Sequence, residues 1–241
     1  MVGNPDDSNS RIDADAGAVT KKGMQQNMDS SLLVAALTTF IGGFLDAFTY
    51  VGHGDVFVNS MTGNIVLVGV FTAKGNWQQV VDHIPPLIAF LAGIFIVYRK
   101  SLPGHYRYFH QLAIGSLFVE MIFLLCFSLL PKSFPSNILV PGIALVASIQ
   151  YESFARMESY NYSSVTVTVN LKRFAEAVCD YHATGSGDSK RRMKLFGLIS
   201  CCFVIGALAG GFCTGYLLNA ALLIPVFLIG IVLFLKRKEF W

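Results

Sequence analysis

The chain has 241 residues, 54% of them hydrophobic and 14% charged, with a mean hydropathy of +0.55 and a formal net charge of +3 at pH 7. That composition excludes an ordinary water-soluble domain, and so small a charge gives no footing for nucleic acid. Function has to be sought in the residues that lie in lipid.

Residues 1–30 mix five Asp with three basic residues and hold no apolar run long enough for a signal-peptide core. They read as a disordered, uncleaved cytoplasmic tail, and Gly3 stands one place too late for N-myristoylation. Six apolar segments follow, at 31–51, 83–98, 111–130, 136–156, 195–217 and 219–235. Each approaches the roughly 20 residues that cross a bilayer core as a helix. The second carries Pro85 and Pro86 near its start, and the last two are broken only around Asn219. Two further stretches, 57–73 and 163–178, are too polar for ordinary spans and too apolar for ordinary loops. Both are expected to be re-entrant or broken helices, which lipid tolerates only where protein or a water-filled cavity surrounds them.

If neither stretch crosses, 16 of the 18 Lys and Arg fall on one side of the membrane, leaving only Lys74 and Lys132 opposite. The positive-inside rule then favours six spans with both termini in the cytoplasm. At an offset of 106 residues Asp46 falls on Glu152, Ser60 on Thr166, Thr62 on Thr168 and Asn64 on Asn170. The fold class expected is therefore an all-α membrane protein of six transmembrane helices in a 3+3 inverted repeat, each half with an additional short polar re-entrant or broken helix. Residues 31–130 form the first three-span unit, and 131–241 the second with a short cytoplasmic C-terminus. Inverted repeats with discontinuous helices recur in secondary transporters, although channels share the architecture.

The stretch GGFLDAFTYVGHGDVFVNSMTGNIVLVG (42–69) places an Asp at a glycine-rich span end and a T-G-N triplet about 18 residues later. With ALVASIQYESFARMESYNYSSVTVTVNL (144–171), it resembles the YoaK-like family of uncharacterised bacterial multi-pass membrane proteins. The resemblance implies a bacterial inner or plasma membrane location and supplies no substrate. Where the second block of that family would carry T-G-T or T-G-N, this chain has Thr168, Val169 and Asn170, which bears on any tight turn there.

Asp46, Glu120 and Glu152 lie within apolar runs, where an ionised Asp costs roughly 2.5 to 3.5 kcal/mol. Such a group takes up a proton or finds a cation or donor, which is what a proton- or sodium-coupled carrier needs. Against this, Asp46 and Glu152 stand near their span ends, where they could cap or pair locally, and Glu120 could serve helix packing. Ser60, Thr62, Gly63 and Asn64, with Thr166, Thr168 and Asn170, offer oxygens and amides for a substrate or ion pathway. Ser60 or Thr62 could equally be the N-cap of a half-helix beginning near Gly63, whose amides would favour an anion. Lys172 and Arg173 read as interfacial anchors or as holders of an anionic solute, and Gly206, Gly210, Gly211 and Gly215 as close helix packing. The cysteines and histidines show no zinc spacing, and there is no H-E-x-x-H, G-x-S-x-G or P-loop pattern. No enzyme, cofactor or metal is expected. The reading is a small-solute secondary transporter coupled to a proton or cation, the alternatives being a passive channel or a non-transporting scaffold. Its partners are the bilayer, an unknown small solute and, given the small unit, a second copy in a homodimer.

Overall fold

A computed structural model describes residues 32–100, 109–131, 133–155 and 167–237, and regular structure among them is all helical. The expected tail at 1–30 and Thr166 lie outside the described residues. The elements are α1 (Leu32–Gly52), α2 (Met61–Ala73), α3 (Trp77–Lys100), α4 (Phe109–Ser128), α5 (Ser136–Ala155), α6 (Val167–Thr184) and α7 (Gly187–Leu217). A 3₁₀ turn (Leu218–Leu222) then leads into α8 (Leu223–Lys236).

Several boundaries differ from those expected, α6 among them running on to Thr184, and three of the differences have a visible local cause. Helix α3 starts two turns before the apolar run because Asn76 offers both its backbone oxygen to Val80 N and its side-chain oxygen to Gln79 N, so Pro85 and Pro86 fall inside the helix. Helix α7 starts at Gly187 because Ser186 caps it through Ser189 N, carrying the basic run 190–194 as helix outside the apolar span. The break at Asn219 is a full 3₁₀ turn, and Pro225 follows in the first turn of α8, where its missing N–H is harmless.

Leu32–Gly52, Trp77–Arg99 and Gly187–Lys236 are long and apolar enough to cross a membrane, the last interrupted by the 3₁₀ turn. Leu91, Phe212 and Phe227 are each more than 65% exposed, along with many other large apolar side chains. Water does not tolerate such a surface on a monomer; lipid does. This is a membrane protein.

Helix α1 is the inner element: Ile41, Phe44, Leu45 and Phe48 are buried against Leu117 and Leu124 of α4, Leu139 and Ile143 of α5, and Ile229 and Val232 of α8. It runs alongside α7 in the same direction, Gly206 lying against Phe40, Gly210 against Phe44, and Gly43 against Phe203. A Cβ at any of these three glycines would overlap a backbone carbonyl oxygen, which is why small residues are required there. Helix α3 meets α5 in the same manner, Gly93 against the Leu145 carbonyl and Ser148. Helices α4 and α5 are antiparallel, Gly142 lying under Phe123 and Phe127, and α8 returns along α4 from the point where Asn219 Nδ2 donates to Leu130 O.

Candidate functional site

The chain leaves α1 at Gly52, turns through Gly54 and Asp55, both with left-handed φ, and folds back toward the interior before α2 begins. Asp46 receives it. Its Oδ1 accepts from Asn59 N at 2.7 Å, Val58 N at 3.1 Å and Ser60 N at 3.4 Å. Those amides precede α2, whose orphan N–H groups need an acceptor. Ser60 occupies the N-cap position, yet its side chain makes no capping bond, so the cap foreseen from Ser60 or Thr62 is not formed; the Asp46 carboxyl instead holds the loop that leads into α2. Asp46 stands six residues before the end of α1, about 9 Å along its axis, so α2 starts well inside the fold.

Asn64 closes the loop. Its Oδ1 accepts from Phe57 N at 2.9 Å and its Nδ2 donates to Phe57 O at 2.7 Å, gripping the backbone of one residue through both its N–H and its carbonyl. The Phe57 ring stacks on Tyr50 at 4.7 Å and passes over Gly63, where a Cβ would lie 3.0 Å from it. The T-G-N triplet thus divides into a residue that makes room and a residue that clamps. Thr62 is exposed and takes no part in this clamp. Asn59 donates to Gly42 O, while its buried Oδ1 has no partner.

Helix α2 returns along α3, Phe71 lying 5.4 Å from the His83 ring. Antiparallel register then puts Met61 level with about Gly93, where α3 meets α5. Helix α6 returns along α7 in the same way: Phe174 packs on Gly197, which puts Val167 level with about residue 204, where α7 meets α1 at Gly43. Asn170 is fully buried and Glu152 partly buried, and both are engaged, whereas Thr168 is exposed. Lys172 pairs with exposed Glu176 at 3.7 Å and the Arg173 guanidinium lies 5.5 Å from the centre of the Phe196 ring, so both serve the α6–α7 hairpin.

Glu120 is placed differently. It is fully buried in α4 and neither carboxyl oxygen has a hydrogen-bond partner among the described residues. On α5, Gln150 is also buried and its Nε2 is unpaired. Among the described residues no group of three His, Cys, Asp or Glu could hold a metal ion. An apolar groove of about 650 Å³ lined by Leu33, Leu37, Phe40, Leu198 and Leu228 opens between α1, α7 and α8, far from all these groups in character, and suits an acyl chain better than a polar solute.

A family described as "Protein of unknown function (DUF1275)" matches residues 34–235. The chain belongs to the DUF1275 family. "UPF0700 transmembrane protein YoaK" of Bacillus subtilis (strain 168) is 26% identical over 146 residues, which cover 59% of this chain and 65% of that protein. No solved structure matches.

This DUF1275 chain also contains a polar latch that its sequence concealed. His53 Nδ1 lies 3.1 Å from Ser136 Oγ and Nε2 lies 3.1 Å from Asn219 Oδ1, while Asn219 Nδ2 donates to Leu130 O and Pro131 O. The amide orientation makes Oδ1 an acceptor, so the proton of the neutral ring sits on Nε2 and Nδ1 accepts from Ser136. One imidazole, just beyond α1, ties together the starts of α5 and the 3₁₀ turn and the end of α4. Burial pushes the His53 imidazole below its usual range, with the Asn219 contact opposing in part. The partners lie 83 and 166 residues away, beyond the reach of any local pattern.

Proposed function

We propose that this protein is a small-solute carrier of the bacterial cell membrane, with six spans, two re-entrant half-helices in a 3+3 inverted repeat, and both termini in the cytoplasm. The observation that carries the reading is that α2 and α6 each begin inside the fold, level with a glycine contact between the following span and a span of the other half. Support for the repeat comes from the contacts of Gly93 with Ser148 in one case and Gly43 with Phe203 in the other, and from the spacing: Met61 and Val167 are 106 residues apart and Trp77 and Gly187 are 110 apart. Half-helix ends near the midplane, at the interface between repeats, are where carriers hold solute and ion.

The solute site of this reading lies between the two tips, with Asn59 Oδ1 as an acceptor for a donor-bearing solute and Asn64 and Asn170 holding the tips in shape. Asp46 is a positioning residue, because its Oδ1 already holds three loop amides. The unequal share of Lys and Arg across the two faces supports cytoplasmic termini. The test is flux into liposomes holding purified protein, with a panel of small anions, cations and neutral metabolites. Saturable uptake that counterflow accelerates is expected for at least one solute. Folded protein that moves none of them would refute the carrier, and non-saturable flux without counterflow would select a passive channel.

A further inference from the structure

We infer that the Glu120 carboxyl is the proton-binding site of this protein, and that the ion coupled to transport is therefore H⁺. The inference rests on the carrier reading for its coupling role, but the binding of the proton stands on geometry alone. Glu120 is fully buried at mid-length of α4, its stripe shared with Phe123 and Phe127, which meet α5. Antiparallel register from Gly142 puts it level with about Ala147 on α5, and register from Asn219 puts it level with about Ile229 on α8. Around it Leu117, Leu124, Ala144 and Ile229 are buried apolar residues of one cluster.

The charged or titratable residues on the elements that supply the buried residues of that cluster are Asp46 and Tyr50 on α1, His53 and Asp55 in the loop that carries Val56 and Val58, Tyr151 and Glu152 on α5, Lys236 on α8, and His110 and Cys126 on α4 itself; the 3₁₀ turn has none. Asp46 is held by the loop amides, Lys236 is engaged, and among the described residues no group donates to Glu120. An ionised carboxylate with no donor in an apolar interior is uncompensated. A sodium or divalent ion needs several ligands around it, and among the described residues no group of three His, Cys, Asp or Glu gathers here or elsewhere. A proton needs one. Gln150, one turn along α5 from the level of Glu120, leaves an amide N–H unpaired, so the carboxyl has a prospective partner for its carbonyl oxygen once the helices shift.

The natural chain retains this group where an apolar residue would pack at no such cost, which is the mark of a functional carboxyl in a membrane. The test uses full-length protein in liposomes, wild type against Glu120→Gln and Glu120→Leu. Dicyclohexylcarbodiimide, which reacts with protonated carboxyls in lipid, is expected to label Glu120, and the infrared carbonyl band of a protonated carboxyl is expected to vanish in both variants. Glu120→Leu is expected to melt at a higher temperature than wild type, so loss of the band cannot be laid to misfolding. With a transported solute in hand, Glu120→Gln is expected to exchange that solute while its accompanying proton movement falls to that of empty vesicles. Unlabelled Glu120 with an unchanged infrared band would overturn the inference. So would proton-coupled uptake that survives Glu120→Gln, which would leave the carrier reading standing. A labelled Glu120 in a protein that moves no solute would instead remove the carrier reading and keep the proton site.

Discussion

Truncating Asp46 removes the acceptor for the loop that carries α2. Two of its three bonds, at 2.7 and 3.1 Å, are well formed and the third, at 3.4 Å, is marginal. A buried donor left unsatisfied costs about 1–3 kcal/mol, so Asp46→Ala should destabilise the loop by about 2–6 kcal/mol. Asp46→Asn is a different perturbation, because all three amides point at one oxygen and a carboxamide can present that oxygen unchanged; a loss under about 1.5 kcal/mol is expected. Amide hydrogen exchange of the peptide spanning residues 57–60 reads this directly. At 1.4 kcal/mol per tenfold, Asp46→Ala should accelerate exchange there by about 30-fold or more, with the α6–α7 hairpin unaffected. Equal acceleration in both variants, or none in Asp46→Ala, would refute the role given to the Asp46 carboxyl in holding this loop.

Close packing of α1 on α7 predicts that Gly210→Ala, whose Cβ would overlap Phe44 O, lowers thermal stability by about 1–3 kcal/mol, whereas Gly211→Ala, 4.0 Å from the nearest side chain, leaves it unchanged. A melting comparison of the two separates backbone overlap from helix propensity. Gly63→Val should destabilise the loop through the Phe57 ring, and Phe57→Ser in the same chain should recover part of the loss, which a double-mutant cycle measures. The His53 imidazole, held below its usual range, contributes stability that is complete above the unfolded value of about 6.5 and is lost as the pH falls below it. His53→Asn should therefore flatten the fall in melting temperature on acidification, and parallel curves for the two proteins would count against the latch.

The apolar runs and the two polar stretches were legible because lipid demands long apolar helices and punishes exceptions, and the structure extends two of the spans where Asn76 and Ser186 recruit polar flanks into helix. Asp46, Gly63 and Asn64 stood out by residue type, but their division of labour depends on Phe57 and on the fold-back that brings residue 58 to residue 46. Glu120 was visible as an acid in an apolar run, yet its lack of partners is a property of α5 and α8, which approach it from remote parts of the chain. The His53 latch was invisible for the same reason.

The most direct test of the architecture is side-specific labelling of single cysteines in a background with Cys126, Cys179, Cys201, Cys202 and Cys213 replaced. If α2 is re-entrant, Gly54→Cys and Lys74→Cys, at its two approaches, both react with an impermeant maleimide from outside intact cells, and Gly185→Cys reacts only after permeabilisation. Gly54→Cys and Lys74→Cys on opposite sides of the membrane would make α2 a crossing helix and contradict the account.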